Sequence, residues 1–259
     1  RYDLRCFNRD DRPTQPPFEL RWHPELVVGG LADEPDTLVI PTPEGVRSLP
    51  YQANQTGTSF TPGANWAAIV DRSEKLAYVT TFRREQVGRI YVWQDARFYD
   101  LEIFSPQRRP KTGESIDLDL GIYLLRGLSG LDGYRDGYGV QAVVPANVDQ
   151  GKPIRMVLEI GSAYEKIESV AITAELRHAG QVITDFSGEV SDTVAFDQPV
   201  AQHFEASLSG HPDGTYEIHA TITIAERPAL AIKKQLHLSG TERAEYRRYY
   251  EQCRPALES

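Results

Sequence analysis

Apolar and polar residues alternate along several short stretches in the second half of the chain. The clearest stretch covers residues 216–224, where Tyr, Ile and Ala at every second position are separated by Glu, His and Thr. A period of two is typical of a β-strand that buries one face. The same pattern predicts strands over residues 154–160, 170–176, 181–186, 193–196, 200–208 and 230–238.

These strands, joined by turns such as His211-Pro212-Asp213-Gly214, indicate a β-sandwich. We therefore expect an immunoglobulin-like (Ig-like) β-sandwich over residues 151–238. The phrase Asp213-Gly214-Thr215-Tyr216 at the start of a strand resembles bacterial Ig-like and fibronectin-type modules. No pair of cysteines lies within these residues, which excludes an antibody-type domain.

The first half of the chain predicts a separate antiparallel β domain over residues 1–127. The predicted strands lie at 4–7, 66–70, 76–82, 89–93, 98–104 and 116–125, and the second and third of them form a hairpin. Residues 51–64 are rich in Gly, Thr, Asn and Pro and predict a loop. Residues 128–150 are interpreted as the linker between the two domains.

Asp132 and Asp136 lie in a segment of this linker, residues 128–138, that is rich in Gly, Asp and Tyr. Carboxylates are the oxygen ligands that cations prefer, but the segment lacks the spacing and the terminal Glu of a calcium loop. We therefore favour a turn-and-linker interpretation over a cation site. Phosphate-loop, dinucleotide-binding and zinc-protease motifs are also missing, so no cofactor is predicted.

Residues 239–259 predict a short C-terminal helix. Ser239 and Glu242 form a capping box at its start. One helical face then carries Tyr246, Tyr249, Tyr250 and Cys253. That face is expected to dock against the body of the protein, with a ligand platform as the alternative. Cys253 and Cys6 form one disulfide if the protein is exported, or stay two unrelated thiols if it is cytosolic.

The net charge of -9 over 259 residues argues against a nucleic-acid surface, because phosphate binding needs a basic face. No run of about eighteen apolar residues is present, so no transmembrane helix is expected. The chain begins at Arg1 rather than Met, and we expect that a preceding segment was removed or is missing.

Three segments of the first domain resemble the second half of a galactose-mutarotase-like β-supersandwich, a fold of sugar-associated proteins. Residues 8–30 lead from a polar stretch to His23 and a short apolar run, and residues 99–125 contain a Leu-Glu strand, a loop with Pro and a final alternating strand. The hairpin at 66–82 fits the late strands of the family. The resemblance implies a supersandwich-like antiparallel β domain and a partner segment that completes it.

By that resemblance, His23 is the general acid at the sugar ring oxygen, and Glu102 is the general base at the anomeric hydroxyl. Ile103 and Phe104 follow Glu102 where the epimerases have Thr and Gln, and Pro24 follows His23 where they have an aromatic pair. These departures suit the broader superfamily, which includes accessory domains of polysaccharide lyases and glycoside hydrolases.

Alternation along the predicted strand at 98–104 places two carboxylates and two aromatic rings on one face. These residues are Phe98, Asp100, Glu102 and Phe104, and the predicted substrate site adds Trp22 and Arg97. Aromatic rings stack on sugar rings, and a carboxylate beside them can have a raised pKa suited to proton transfer. The alternative is a strand face whose charges lie in water, with His23 bonded to the backbone.

Trp66 and Trp93 are predicted to be core or hairpin aromatics rather than sugar platforms. The pairs Arg83-Arg84 and Arg108-Arg109 lie in or near loops. There they either contact a uronate carboxylate through bidentate bonds or remain solvated.

The sequence supports two functional hypotheses. In the first, the protein acts on a saccharide by epimerase- or lyase-type proton transfer through His23 and Glu102. In the second, it is a non-catalytic carbohydrate-binding module or a structural module of the cell envelope, with the Ig-like sandwich as a spacer. A periplasmic or extracellular location is expected in both cases.

Overall fold

The chain folds into two compact units, residues Arg1–Gly137 and Tyr138–Ser259. A computed structural model describes residues 4–6, 24–29, 37–50, 57–94, 98–107, 113 and 117–240. Its regular structure is β-strand apart from one turn of 3-10 helix, Arg84–Gln86. The predicted all-β class is therefore confirmed. None of the described helices is both long and apolar enough to cross a membrane.

Two antiparallel sheets form the first unit. Their strands are β1 (Leu4–Cys6), β2 (Pro24–Gly29), β3 (Thr37–Thr42), β4 (Gly45–Pro50), β5 (Thr58–Phe60), β6 (Trp66–Asp71), β7 (Leu76–Phe82), β8 (Arg89–Gln94), β9 (Phe98–Phe104) and β10 (Leu120–Arg126). A short strand that follows them, β11 (Gly133–Arg135), belongs to neither of these sheets. One sheet has the order β1-β2-β9-β8-β5, and the other has the order β10-β7-β6-β3-β4.

The predicted hairpin is present as β6 and β7, and its turn is held by Asp71. The Oδ1 atom of Asp71 accepts hydrogen bonds from the Ser73 hydroxyl at 2.8 Å and from the Glu74 amide at 3.0 Å. Such side-chain bonds to nearby groups are the reason that Asp favours turns. Lys75 then takes a positive φ of 52° before β7 begins.

One apolar cluster draws on both sheets of the first unit, so the sheets pack face to face. Its buried members are Leu38, Ile40, Ala67, Ile69, Phe82, Val87, Ile90, Val92, Leu101 and Ile103. Along β8 and β9 these residues occupy alternate positions, as a strand with one buried face requires. The remaining positions of these two strands therefore lie on the outer face of their sheet.

Strands β3 and β6 are buried on both faces. Tyr134 packs against β6, with its ring centre 6.1 Å from that of Trp66, and Leu128 and Leu131 earlier in the same segment are also buried. The Tyr134 hydroxyl also accepts a bond from the Gly137 amide at 3.0 Å. These residues differ from the predicted linker because three apolar side chains among the Gly and Asp residues are buried.

The second unit is a β-sandwich. Its strands are β12 (Tyr138–Val143), β13 (Asn147–Asp149), β14 (Pro153–Ser162), β15 (Glu168–His178), β16 (Gln181–Val194), β17 (Val200–Ser207), β18 (Gly214–Ile224) and β19 (Leu230–Ser239). One sheet contains β12, β14 and β17, and the other has the order β13-β19-β18-β15-β16. A single apolar cluster joins them.

The sandwich differs from its prediction in two places. The strands expected at 181–186 and 193–196 are one long strand, β16. Strands β12 and β13 lie in residues that the sequence assigned to the linker. The residues of the predicted C-terminal helix after Gly240 lie outside the described part of the chain, and Ser239, its predicted cap, ends β19 and is buried.

Tyr216, near the start of β18, fixes the turn that precedes this strand. Its side chain is buried, and its hydroxyl donates to the Pro212 carbonyl at 2.8 Å. His178 stacks on the Tyr216 ring with 4.3 Å between centroids. A buried tyrosine that bonds back to the chain a few residues upstream is typical of Greek-key sandwiches.

Candidate functional site

The outer face of β8 and β9 carries a group of aromatic and charged side chains. Ile90 and Val92 are buried in the core, and Arg89, Tyr91 and Trp93 alternate with them on the partly exposed side. On β9, Glu102 lies between two buried residues in the same way. We call this surface, which consists of Arg89, Tyr91, Trp93, Glu102 and Phe104, the β8–β9 face.

The antiparallel register of β8 and β9 brings these residues together. Arg89 is the register partner of Phe104, and Tyr91 is the partner of Glu102. Side chains directly opposite each other in an antiparallel pair share a face and lie within contact distance. The β8–β9 face is therefore one continuous surface.

Arg89 is stacked on Phe104. Its guanidinium carbon lies 4.2 Å from the centre of the Phe104 ring and 5.8 Å from the centre of the Tyr91 ring. The two rings meet edge to face at 6.2 Å. Phe104 is only 6% exposed, so the guanidinium rests on a well-packed support. A cation over an aromatic ring contributes about 0.5–2 kcal/mol, the larger value applying when the contact is desolvated.

Gly57 fixes the position of Tyr91 from the neighbouring strand β5. A Cβ atom on Gly57 would overlap the Tyr91 hydroxyl. The Tyr91 ring therefore lies across the backbone just before β5, where only glycine leaves room for it. This close approach is a reason for glycine at this position.

The structure places the predicted site residues only in part. Glu102 and Phe104 belong to the β8–β9 face, although Phe104 is buried under Arg89 rather than open to a ligand. Phe98 and Asp100 are residues of β9 whose side chains are not described. His23, Trp22 and Arg97 lie outside the described residues. The pairing of His23 with Glu102 therefore stays a prediction.

Two tryptophans behave differently from each other. Trp66 is 4% exposed, which confirms its predicted place in the core. Trp93 is 39% exposed and lies in the hairpin of β8 and β9, so it fits the hairpin part of the prediction and not the core part. It sits at the end of the alternation Arg-Ile-Tyr-Val-Trp, whose apolar partners Ile90 and Val92 already supply the buried face. That alternation was the sequence signal for Arg89 and Tyr91, neither of which was predicted.

Arg83 and Arg84 are held by the protein itself. Arg83 pairs with Asp119 at 2.9 Å, and Arg84 donates to the Val87 carbonyl at 3.0 Å. The side-chain oxygen of Gln86 also accepts a hydrogen bond from the Asp119 backbone amide at 2.8 Å. These bonds hold residues 117–119 outside the strand, so β10 begins later than predicted. Arg108 and Arg109 lie outside the described residues.

A second cation–aromatic group lies in the second unit. The guanidinium carbon of Arg227 is 4.9 Å from the Tyr138 ring centre and 5.8 Å from that of Tyr164. Arg227 also faces Glu168 at 4.0 Å, and Glu168 binds Lys166 at 2.8 Å. Glu168 thus faces two cations, and the aromatic rings of Tyr138 and Tyr164 lie against the guanidinium of one of them.

Among the described residues, no group of three or more His, Cys, Asp or Glu side chains is arranged to hold a metal ion. Asp132 and Asp136 accordingly do not form such a group. Asp136 and Gly137 both have positive φ values, 47° and 83°. This pair of values is typical of the type I′ turn, for which Asp-Gly is a preferred sequence.

No protein-family model matches the sequence, and no curated protein matches it. Among solved structures, the chain is weakly similar to the CARDB domain of a Pyrococcus furiosus protein in complex with di-metal ions, with a TM-score of 0.31 and 13% identity over 39% of this chain and 87% of that one. It is also weakly similar to the Enterococcus faecalis MSCRAMM ACE, with a TM-score of 0.20 and 9% identity over 85% of this chain and 89% of that one. Likeness at this level carries no functional argument.

Proposed function

We propose that the protein binds a saccharide on the β8–β9 face. The observation that carries the proposal is the exposure of Trp93, at 39%, on the same strand face as Tyr91 and Arg89. A large aromatic side chain in water is costly unless it meets a ligand, because its apolar surface remains hydrated. Flat aromatic rings beside polar groups are the surfaces on which sugar rings stack and their hydroxyls bond.

Glu102 supplies the acceptor that such a ligand needs. It is partly exposed, and its register partner Tyr91 is the central aromatic residue of the face. A carboxylate accepts hydrogen bonds from sugar hydroxyls, and an ionised acceptor makes stronger bonds than a neutral one. In this proposal, Trp93 and Tyr91 provide stacking and Glu102 fixes the orientation of the sugar.

The proposal also assigns a specific fold to each of the two units. We propose that the first unit is a galactose-mutarotase-like β-supersandwich, which the sequence resemblance supports. The second unit is proposed to be an Ig-like sandwich that acts as a spacer, and the Tyr216 bond to Pro212 supports that assignment. A periplasmic or extracellular location is part of the proposal, and fractionation of the cells that make the protein would test it.

The direct test is a glycan array probed with the wild-type protein and with Trp93→Ala. We expect the wild type to bind a subset of saccharides, and we expect Trp93→Ala to lose about tenfold or more in affinity, because a stacked aromatic contact contributes about 0.5–1.5 kcal/mol beyond its buried area. Tyr164→Ala is the matched control, since Tyr164 is 37% exposed in the other unit. Binding that is unaffected by Trp93→Ala would place the site elsewhere.

Catalysis by His23 and Glu102 is the alternative form of the same function. It requires that the ligand found on the array is chemically changed, which NMR of the incubated saccharide detects. We expect His23→Ala and Glu102→Ala each to abolish turnover without unfolding the protein, because each would remove one of two proton-transfer groups. If the saccharide returns unchanged from the wild-type protein, the catalytic form is excluded and the binding form stands. A parallel pulldown of protein partners tests the structural-module alternative.

A further inference from the structure

We propose that the saccharide bound by the β8–β9 face is acidic, and that Arg89 recognises its carboxylate. The inference rests on the proposed function and names the ligand class for the same site. It is carried by the stacking of Arg89 on Phe104, by the absence of an anionic partner for Arg89 among the described residues, and by the spacing of Arg89 from Trp93.

The stacking leaves the donors of Arg89 available. Phe104 covers one flat side of the guanidinium at 4.2 Å, whereas the N–H donors of a guanidinium lie in its plane. A stacked arginine therefore keeps its hydrogen-bonding edge open. Because the Phe104 ring is buried, the Arg89 guanidinium is held in one orientation before a ligand arrives. Less conformational entropy is therefore lost when the ligand binds.

Arg89 differs from other arginines of the protein in its partners. Arg83 pairs with Asp119 at 2.9 Å, and Arg155 pairs with Glu205 at 3.1 Å. Within the described part of the chain, Arg89 has aromatic contacts but no ion pair or hydrogen bond through its side chain. The protein has a net charge of -9, yet Arg89 pairs with none of the described acidic side chains. Its guanidinium can therefore make a bidentate contact with the carboxylate of a ligand.

The spacing along β8 indicates a ligand longer than one sugar. Arg89 and Trp93 are four residues apart on the same face, which corresponds to about 13 Å of strand. Tyr91 lies midway between them. A carboxylate at Arg89 and a sugar ring on Trp93 therefore belong to different residues of a chain, and the ligand class is a uronic-acid-containing oligosaccharide.

The net negative charge of the protein limits this recognition to short range. Long-range attraction of an acidic polymer is not available, so the affinity depends on the local contact with Arg89. Raising the salt concentration to about 1 M, where the screening length falls to about 3 Å, should weaken a solvent-exposed contact. We therefore expect salt to weaken binding of the acidic ligand more than binding of a neutral one.

The test is calorimetric titration of the full chain with oligosaccharides of galacturonate, glucuronate and mannuronate, each beside its carboxyl-reduced counterpart. We expect at least one acidic oligosaccharide to bind about tenfold or more tightly than its reduced counterpart. Arg89→Gln should remove this preference, and Arg89→Lys should restore it only in part, because lysine keeps the charge and loses the fork. Arg155→Gln, on the other unit, is the matched control and should leave the preference unchanged.

The outcomes separate the two proposals. If both acidic and reduced oligosaccharides bind equally, and only Trp93→Ala weakens them, Arg89 does not read a carboxylate and the saccharide site stands. If no saccharide of either set or of the wider array binds, the proposed function itself fails. A preference for acidic ligands that survives Arg89→Gln would overturn the assignment to this residue.

Discussion

Glu217 and His219 lie two residues apart on the outer face of β18 and bond to each other at 3.1 Å. The hydrogen bond from His219, followed by that from Gln235, lowers the pKa of the Glu217 carboxyl below its ordinary value. A carboxyl group with a lowered pKa in the folded state stabilises the fold when it is ionised. The contribution is present above the ordinary value of 4.5 and is lost as the pH falls through the lowered pKa.

Replacing Glu217 by Gln removes this titration. We expect the stability of the wild-type second unit to fall more steeply with decreasing pH than that of Glu217→Gln, once the pH drops below about 4.5. Urea unfolding of both proteins at a series of pH values measures the difference. The difference is small because the Glu217 carboxyl is exposed. Equal slopes of the unfolding free energy against pH in the two proteins would show that the Glu217–His219 bond contributes nothing.

At the scale of the elements, β8 shows what the sequence could predict and what it could not. The alternation from Arg89 to Trp93 predicts a strand with one buried face, and the strand is present. The pattern alone does not state which aromatic is exposed, because Trp fits either face. The register of the hairpin formed with β9 adds what the pattern lacks, since it pairs Arg89 with Phe104 and Tyr91 with Glu102.

Other elements were missed because their signals were short or interrupted. β12 alternates Tyr138, Val140 and Ala142 with Gly and Gln, and such a strand reads like a Gly-rich linker. β13 has three residues and pairs in parallel with β19, a long-range contact that no local pattern reports. The candidate site depends on the register between β8 and β9, which the two strand patterns taken separately do not give. Glu102 was therefore predicted with the help of a resemblance, and Arg89 was not predicted.

The packing of β5 against β8 yields a prediction of its own. Gly57→Ala introduces a methyl group where the Tyr91 hydroxyl lies, so the Tyr91 ring must move away from β5. We expect this change to weaken saccharide binding severalfold while the unit remains folded, because one side-chain position is displaced and no buried polar group is lost. Thr58→Ala, at an exposed position of β5 that pairs with Val92 rather than with Tyr91, is the control. Calorimetry and circular dichroism together separate lost binding from lost folding.

At the scale of the whole molecule, each unit closes its own core between two sheets. Neither cluster contains a residue of the β8–β9 face, so the proposed site can vary without rebuilding a core. Loops and sheet faces supported by a rigid scaffold are where proteins usually place function. The change in strand spacing predicts two domains, whereas the division of the structure into units at Gly137 and Tyr138 has no signal in that spacing.

Leu128, Leu131 and Tyr134 bear on how the two units are inherited as modules. These side chains are buried and belong to the first unit, and Trp66 loses a ring neighbour without Tyr134. A recombination event that joined the first unit to a new neighbour at residue 127 would leave these buried side chains behind. Exchange between Gly137 and Tyr138 keeps them with the first unit. The segment that can be exchanged as a unit therefore ends about ten residues after β10, its last long strand. Its limit is set by the packing of side chains rather than by the end of that strand.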